Sequence, residues 1–452
     1  MPISPARKIA YSILSRVETE RAYASDLLHA RLDERIASRD AALATELVLG
    51  SLRWQGLLDF LIERYTGKET AKLDSEVLVA LRLGIYQLRY LSRVPARAAV
   101  NESAEMVKKA RKKSAVALVN AVLRRAAGEK NNLVEDLLAP ELPLAESLAI
   151  LCSHPAWLVE RWLKQFGETK TRELLATNNQ PPNQACAILD SMGKEELLQS
   201  LEAAGMEFAP GELLRNAVIV RRGNIAQTRA FQEGAITIQD EASQLIPLLL
   251  RASQGNSVLD LCAAPGGKTI ALARAVGSHA FIVASDRHRS RLSILAERLK
   301  KACVTNVRLV ALDGTASLPF RGGFDRILVD APCSGTGTLA RNPEIRWRLT
   351  PQDIAELHRQ QVALLCSALD CLSANGRLVY STCSLEPEEN EQVIGEALAA
   401  RPGFEISPVQ IPCDALAPGV AAKSLIGGDG MFRTFPPQTR TDGFFAAVLQ
   451  SR

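Results

Sequence analysis

Two cysteines in this chain sit in matching settings. Cys333 lies in Asp330-Ala-Pro-Cys-Ser-Gly-Thr-Gly337 and Cys383 in Ser381-Thr-Cys-Ser384, each after an apolar run, FDRILVD and GRLVYST. A buried cysteine is usually a small hydrophobe, and that reading suits Cys366 and Cys371. A thiolate, however, is the strongest ordinary protein nucleophile, ionised to a few per cent near neutrality at its free pKa. Two thiols at strand ends beside a ligand loop point to catalysis, and a cation such as Lys268 would raise the thiolate fraction. This chemistry alone does not rank the two thiols.

The ligand loop is Asp260-Leu-Cys-Ala-Ala-Pro-Gly-Gly-Lys-Thr269. Gly266 and Gly267 let a ligand approach the backbone and permit positive φ. The loop opens a helix, whose first amides point outward as donors. It is neither the Walker pattern nor G-x-G-x-x-G, so it reads as a nucleotide-type loop of moderate specificity. Asp286 ends the next apolar run, 20 residues after Gly266. An acid at that distance commonly accepts from ribose hydroxyls, the bland alternative being a helix N-cap. Asp313 ends the run after that and could accept from an adenine amino group, the bland alternative being an N-cap or turn acid.

These loops need elements to hold them. From about residue 236 the chain alternates apolar runs with helical segments: NSVLDLCA (256–263), FIVASD (281–286), VRLVALD (307–313), FDRILVDAP (324–332), GRLVYSTCS (376–384) and GFFAAVLQ (443–450). That rhythm predicts a mostly parallel sheet with helices on both faces, and ligands then bind outside the carboxyl ends of the strands. Residues 1–130 read as helix after helix, with apolar residues at helical spacing in Ile9, Ile13, Leu14 and Val17 and in Leu47, Leu49, Leu52 and Leu57. Residues 100–125 read as one helix or two abutting ones, carrying Lys108, Lys109, Arg111, Lys112 and Lys113. That cluster is either a phosphate-binding face or an ordinary solvated one. In residues 131–235, HPAWLVERWLKQFG and GKEELLQSLEAAG (193–205) predict helices, ACAILD (185–190) and AVIVRR (217–222) strands: a small α+β region.

Composition sets limits. With 452 residues, 47% hydrophobic and 23% charged, the chain suits a soluble multidomain protein. It has no apolar run of transmembrane length and no signal-peptide pattern. Nine cysteines, an odd number without paired C-x-x-C motifs, disfavour a disulfide framework and a zinc site, so no metal is expected and a reducing cytoplasm is. Residues 1–130 hold 23 Lys+Arg against 15 Asp+Glu, a net of +8, while the remainder is −4. A basic front end fits a polyanionic partner or a merely solvated surface.

DLCAAPGGKT, DAPCSGTG and STCS, in this order, resemble the NOL1/NOP2/Sun family of RNA cytosine-5 methyltransferases. The likeness runs through 236–452 and takes in IQDEASQL (238–245), RNPEIRWR (341–348), EPEENE (386–391) and DGFFAA (442–447). The N-terminal helices resemble the RNA-binding domain of the antitermination factor NusB, a pairing similar to bacterial members that methylate 16S ribosomal RNA. The resemblance implies a multidomain chain. Residues 1–130 would form an all-α NusB-like RNA-binding domain and 131–235 a small α+β linker domain. Residues 236–452 would form an α/β Rossmann-like class I methyltransferase domain. It implies S-adenosylmethionine as cofactor, with Cys262, Ala263, Ala264, Pro265, Gly266, Gly267 and Lys268 lining its methionine part. Asp286 would hold the ribose, Asp313 would lie near the adenine, and Asp330 would face cofactor and target base. Cys383 is then the nucleophile and Cys333 assists product release. The partner is small-subunit ribosomal RNA; a monomer in the cytoplasm, with no membrane association, is expected. Two other readings stay open. A DNA cytosine-5 methyltransferase would use the Pro-Cys thiol, Cys333. A non-catalytic RNA-binding assembly factor would have lost motif residues, yet both cysteines, the glycines and the three acids are present.

Overall fold

A computed structural model describes residues 3–32, 36–189 and 193–452. Asp190, the last residue of the expected ACAILD strand, lies outside them. The chain forms two compact units: Met1–Pro181 with Leu339–Arg348, and Pro182–Thr338 with Leu349–Arg452.

The first unit is helical. Helices Pro5–Glu20, Ser38–Arg53, Gln55–Thr66, Ala96–Lys109 and Val116–Gly128 gather around Ser75–Tyr90. That central helix is buried continuously from Val77 to Leu88, because it carries apolar residues on every face. Arg82 is buried within that run, and its guanidinium is neutralised by Asp59 at 2.6 Å and Glu18 at 2.7 Å. The basic cluster does not share one helix. Lys108 and Lys109 close the helix Ala96–Lys109, Arg111 turns the chain at φ +63, and Lys113 opens a short 3-10 turn. Leu339–Arg348, which the sequence groups with the C-terminal region, packs within this helical unit. There Arg346 is 0% exposed and donates to the carbonyls of Ser153 (3.1 Å) and Asn178 (3.0 Å) and to Oδ1 of Asn179 (2.8 Å).

The second unit carries two sheets. The smaller one is antiparallel, built from β1 (Gln184–Ile188), β2 (Glu207–Pro210), β3 (Ala217–Arg222) and β4 (Ile236–Ile238) in the order β2-β3-β1-β4. Helix Lys194–Ala203 completes the expected α+β region. The larger sheet holds β5 (Val258–Asp260), β6 (Ile282–Asp286), β7 (Val307–Ala311), β8 (Phe324–Asp330), β9 (Leu372–Thr382), β10 (Phe404–Ser407), β11 (Phe432–Arg433) and β12 (Phe445–Ser451). Its order is β10-β12-β9-β8-β5-β6-β7, with β11 beside β12. Strands β5 to β9 run parallel; β12 and β10 are antiparallel additions at one edge. Every residue of β5 and β6 is buried, as expected of strands covered on both faces. From β5 the chain proceeds outward to β6 and β7, then returns to the other side of β5 for β8 and β9. That reversal opens a crevice at the carboxyl ends of β5 and β8, where such sheets bind ligands.

Candidate active site

The crevice begins at Asp260, the last residue of β5. The chain turns and starts helix Gly267–Val276 at Gly266, whose φ is +106. A Cβ at Gly266 would lie 2.2 Å from Leu295 Cδ1, so both backbone angle and space call for glycine. The amide of Ala263 donates to the Ser285 carbonyl at 2.8 Å and ties the loop to the end of β6. Asp260 is buried; its Oδ2 accepts from the Thr269 hydroxyl at 2.7 Å, and Oδ1 has no hydrogen-bond partner among the described residues. Burial pushes its carboxyl up to about 7.

A hollow of about 140 Å³ adjoins this loop. Its wall contains Asp260, every residue from Cys262 to Lys268, and Asp330, joined by Gln239 and Ser243 from the IQDEASQL segment. The orphaned Asp260 oxygen suits an ammonium group, and the glycine-lined helix start, with its outward amides, suits a carboxylate. The methionine end of S-adenosylmethionine has that chemistry, so these residues fit the expected cofactor.

The other two expected cofactor acids are held by their own turns and stand outside this wall. Asp286, buried at the end of β6, accepts from the His288 amide at 2.9 Å and pairs with Arg291 at 3.1 Å. Arg291 also donates to the Ala264 carbonyl at 2.8 Å, linking that acid to the glycine loop. Asp313 accepts from the Thr315 amide (3.0 Å) and hydroxyl (2.7 Å), which hold its carboxyl below the usual range.

The two cysteine loops end the neighbouring parallel strands β8 and β9. The structure brings their sulfurs together, with Cys333 Sγ 3.3 Å from Cys383 Sγ. Both residues are half-buried. The contact with Cys383, then burial, pushes the Cys333 thiol well up. The main chain reinforces the pairing: Gly337 N donates to the Cys383 carbonyl at 2.9 Å. Asp330, three residues before Cys333, accepts from Lys268 Nζ at 2.7 Å and from the Ser381 hydroxyl at 2.8 Å. Lys268 thus pairs with this carboxylate. Burial, then the surrounding acids, pushes the Cys262 thiol up, which argues against a third nucleophile in the cofactor wall.

Three residues of this site had no role in the sequence reading. Asp260 is one; an acid directly ahead of the glycine loop is a signal that spacing offers. Ser381 is another, on the strand before Cys383. The third is Glu389, fully buried, which accepts from the Ser334 amide at 2.8 Å and from Gln361 Nε2 at 3.0 Å. Its donors lie 55 and 28 residues away in sequence, where spacing gives no hint.

Comparison with known proteins agrees along the whole chain. Residues 247–450 match the family model described as 16S rRNA methyltransferase RsmB/F. Residues 4–128 match the NusB family, and 154–226 match a ferredoxin-like domain described as Methyltr_RsmF/B-like. The probable ribosomal RNA small subunit methyltransferase B of Bacillus subtilis (strain 168) is 32% identical over 458 residues, covering 100% of both chains. The ribosomal RNA small subunit methyltransferase B of Pseudomonas putida is 35% identical over 401 residues, 88% of this chain and 89% of that one. Among solved structures, the crystal structure of PH0851 superposes with a TM-score of 0.82 at 25% identity over the full length of both chains.

Proposed function

We propose, since this chain belongs to the 16S rRNA methyltransferase RsmB/F family, that it methylates carbon 5 of a cytosine in small-subunit ribosomal RNA with Cys383 as covalent nucleophile. The observation that carries this reading is the pair of thiols 3.3 Å apart beside Asp330, at the carboxyl ends of adjoining strands.

Carbon 5 of cytosine is a poor nucleophile. Addition of the Cys383 thiolate to carbon 6 makes carbon 5 enamine-like and splits a hard step into easier ones. Bound S-adenosylmethionine supplies an electrophilic methyl group. Asp330, anchored by Lys268 and Ser381, faces the base and holds a proton at N3, balancing the charge that develops on the ring. After methyl transfer, Cys333 as a thiolate, or a water it orients, takes the carbon-5 proton; the electron pair of that bond re-forms the carbon 5–carbon 6 double bond, and Cys383 leaves carbon 6 as a thiolate. The residues Cys262 to Lys268 hold the methionine part of the cofactor, Asp286 its ribose, and Asp313 lies toward the adenine. The target cytosine enters unstacked from its neighbours. The helical residues 4–128 serve RNA binding, with 131–235 as a linker domain before the methyltransferase domain. No helix among the described residues is long and apolar enough to cross a membrane. We propose that it acts in the cytoplasm, where its substrate is made, as a monomer.

The test is chemical. Full-length protein is incubated with unmodified 16S ribosomal RNA and S-adenosylmethionine carrying a labelled methyl group, and the RNA is digested to nucleosides. Label in 5-methylcytidine is expected; label in any other nucleoside overturns the reading.

A further inference from the structure

We infer that Glu389 is a positioning residue that holds the two catalytic thiols in register, a role that rests on the proposed use of Cys333 and Cys383. Glu389 is 0% exposed, and its carboxylate accepts from uncharged donors among the described residues. Three of its four donors come from the two cysteine loops and the fourth, Gln361, from helix Pro351–Leu369. Oε1 accepts from the Ser334 amide at 2.8 Å and from Gln361 Nε2 at 3.0 Å; Oε2 accepts from the hydroxyls of Ser334 and Ser384. Ser334 follows Cys333 and Ser384 follows Cys383, so one carboxylate binds the residue next to each thiol. The two hydroxyls also meet each other at 3.0 Å.

The surroundings hold Glu389 in turn. Its own carbonyl accepts from the Tyr380 hydroxyl at 2.7 Å, and Gln361 also donates to the Pro332 carbonyl at 2.8 Å, just before Cys333. A carboxylate offers acceptors on both of its oxygens, and here four donors converge on them. A glutamine in its place would turn an NH2 donor toward amide or hydroxyl donors. The two loops would lose their shared anchor, and with it the short thiol separation that in-line addition and release depend on.

Thiol separation can be read without RNA or cofactor. Full-length protein is treated with the diazene oxidant diamide: two thiols lose two protons and two electrons to form one disulfide, and the diazene is reduced to its hydrazine. Wild type should form the Cys333–Cys383 disulfide, identified by peptide mass spectrometry. Glu389→Gln should form it at least about tenfold more slowly, while alkylation of the exposed Cys303 and Cys413 proceeds unchanged. Ser384→Ala, which removes one donor on the Cys383 side only, should slow it too and serves if Glu389→Gln does not fold. In turnover, Glu389→Gln should lower kcat at least about tenfold and leave KM for RNA and cofactor within about threefold. Disulfide formation at the wild-type rate in either folded variant, or its absence in wild type, overturns the inference. Should Glu389 govern the disulfide while no 5-methylcytidine forms, the positioning role stands and the proposed reaction alone fails.

Discussion

At the scale of single residues, the site separates into groups that its chemistry needs charged and groups that it keeps neutral. Asp260 is the clearest case. Burial raises its carboxyl from an ordinary 3.8 to about 7. The folded chain therefore binds that proton more tightly than the unfolded chain does, and the stability it contributes is present below about pH 4 and lost as pH rises to about 7. Asp260→Asn removes this dependence. Denaturation of the full-length protein across that window should show wild type losing ground to the variant by no more than about 4 kcal/mol, at about 1.4 kcal/mol per pKa unit. A difference that does not change with pH would contradict the assignment. The motif cysteines, the glycines and the strand-end acids were legible because their types are unusual in those places. Asp260 offered a signal only in its place ahead of the glycine loop and Glu389 offered none, since acids are mostly exposed and burial, not type, gives these two their roles.

At the scale of elements, each catalytic loop depends on how its strand or helix ends. Gly266 is the sharpest such point, combining φ +106 with a Cβ position 2.2 Å from Leu295 Cδ1. Gly266→Ala should cost about 1–3 kcal/mol in thermal unfolding and weaken cofactor binding measured by calorimetry; a variant unchanged in both would show that the loop tolerates a side chain there. The parallel strands could be read from sequence because strands buried on both faces are near-continuous apolar runs. β10 and β11 could not: both are short, and Phe404–Ser407 has no fully buried residue. The basic cluster was read on one helix or two abutting ones. The structure shows two, and the chain leaves the first helix through Arg111 at φ +63, with Lys112 N bonded back to the Val107 carbonyl at 3.1 Å. Such an exit usually carries glycine, and its absence hid the helix end.

At the scale of the whole molecule, charge and connectivity matter more than any one motif. The net +8 of residues 1–130 against −4 for the rest leads to the prediction that the helical residues carry the electrostatic part of RNA binding. Within the cluster, Lys112 is committed to Asp74 at 3.1 Å, whereas Lys109 and Lys113 are exposed. Replacing those two by glutamate should weaken binding of 16S ribosomal RNA and flatten the slope of log affinity against log salt by about one to two units. An unchanged slope would remove the cluster from the interface. Connectivity was the hardest feature to foresee. RNPEIRWR belongs by sequence to the methyltransferase region, yet residues 339–348 group with the helical unit and Arg346 is buried there. An arginine is normally read as surface, and only the carbonyls and the amide that surround it in the fold make its burial tolerable.

The central claim, that Cys383 attacks and Cys333 releases, is tested most directly on a denaturing gel. Full-length wild type, Cys333→Ala and Cys383→Ala are each mixed with unmodified 16S ribosomal RNA and S-adenosylmethionine, then denatured. A slow-migrating protein–RNA adduct should accumulate with Cys333→Ala alone, while Cys383→Ala forms none and loses methyl transfer by more than about 10³-fold. An adduct that accumulates with Cys383→Ala instead would make Cys333 the nucleophile and contradict the account.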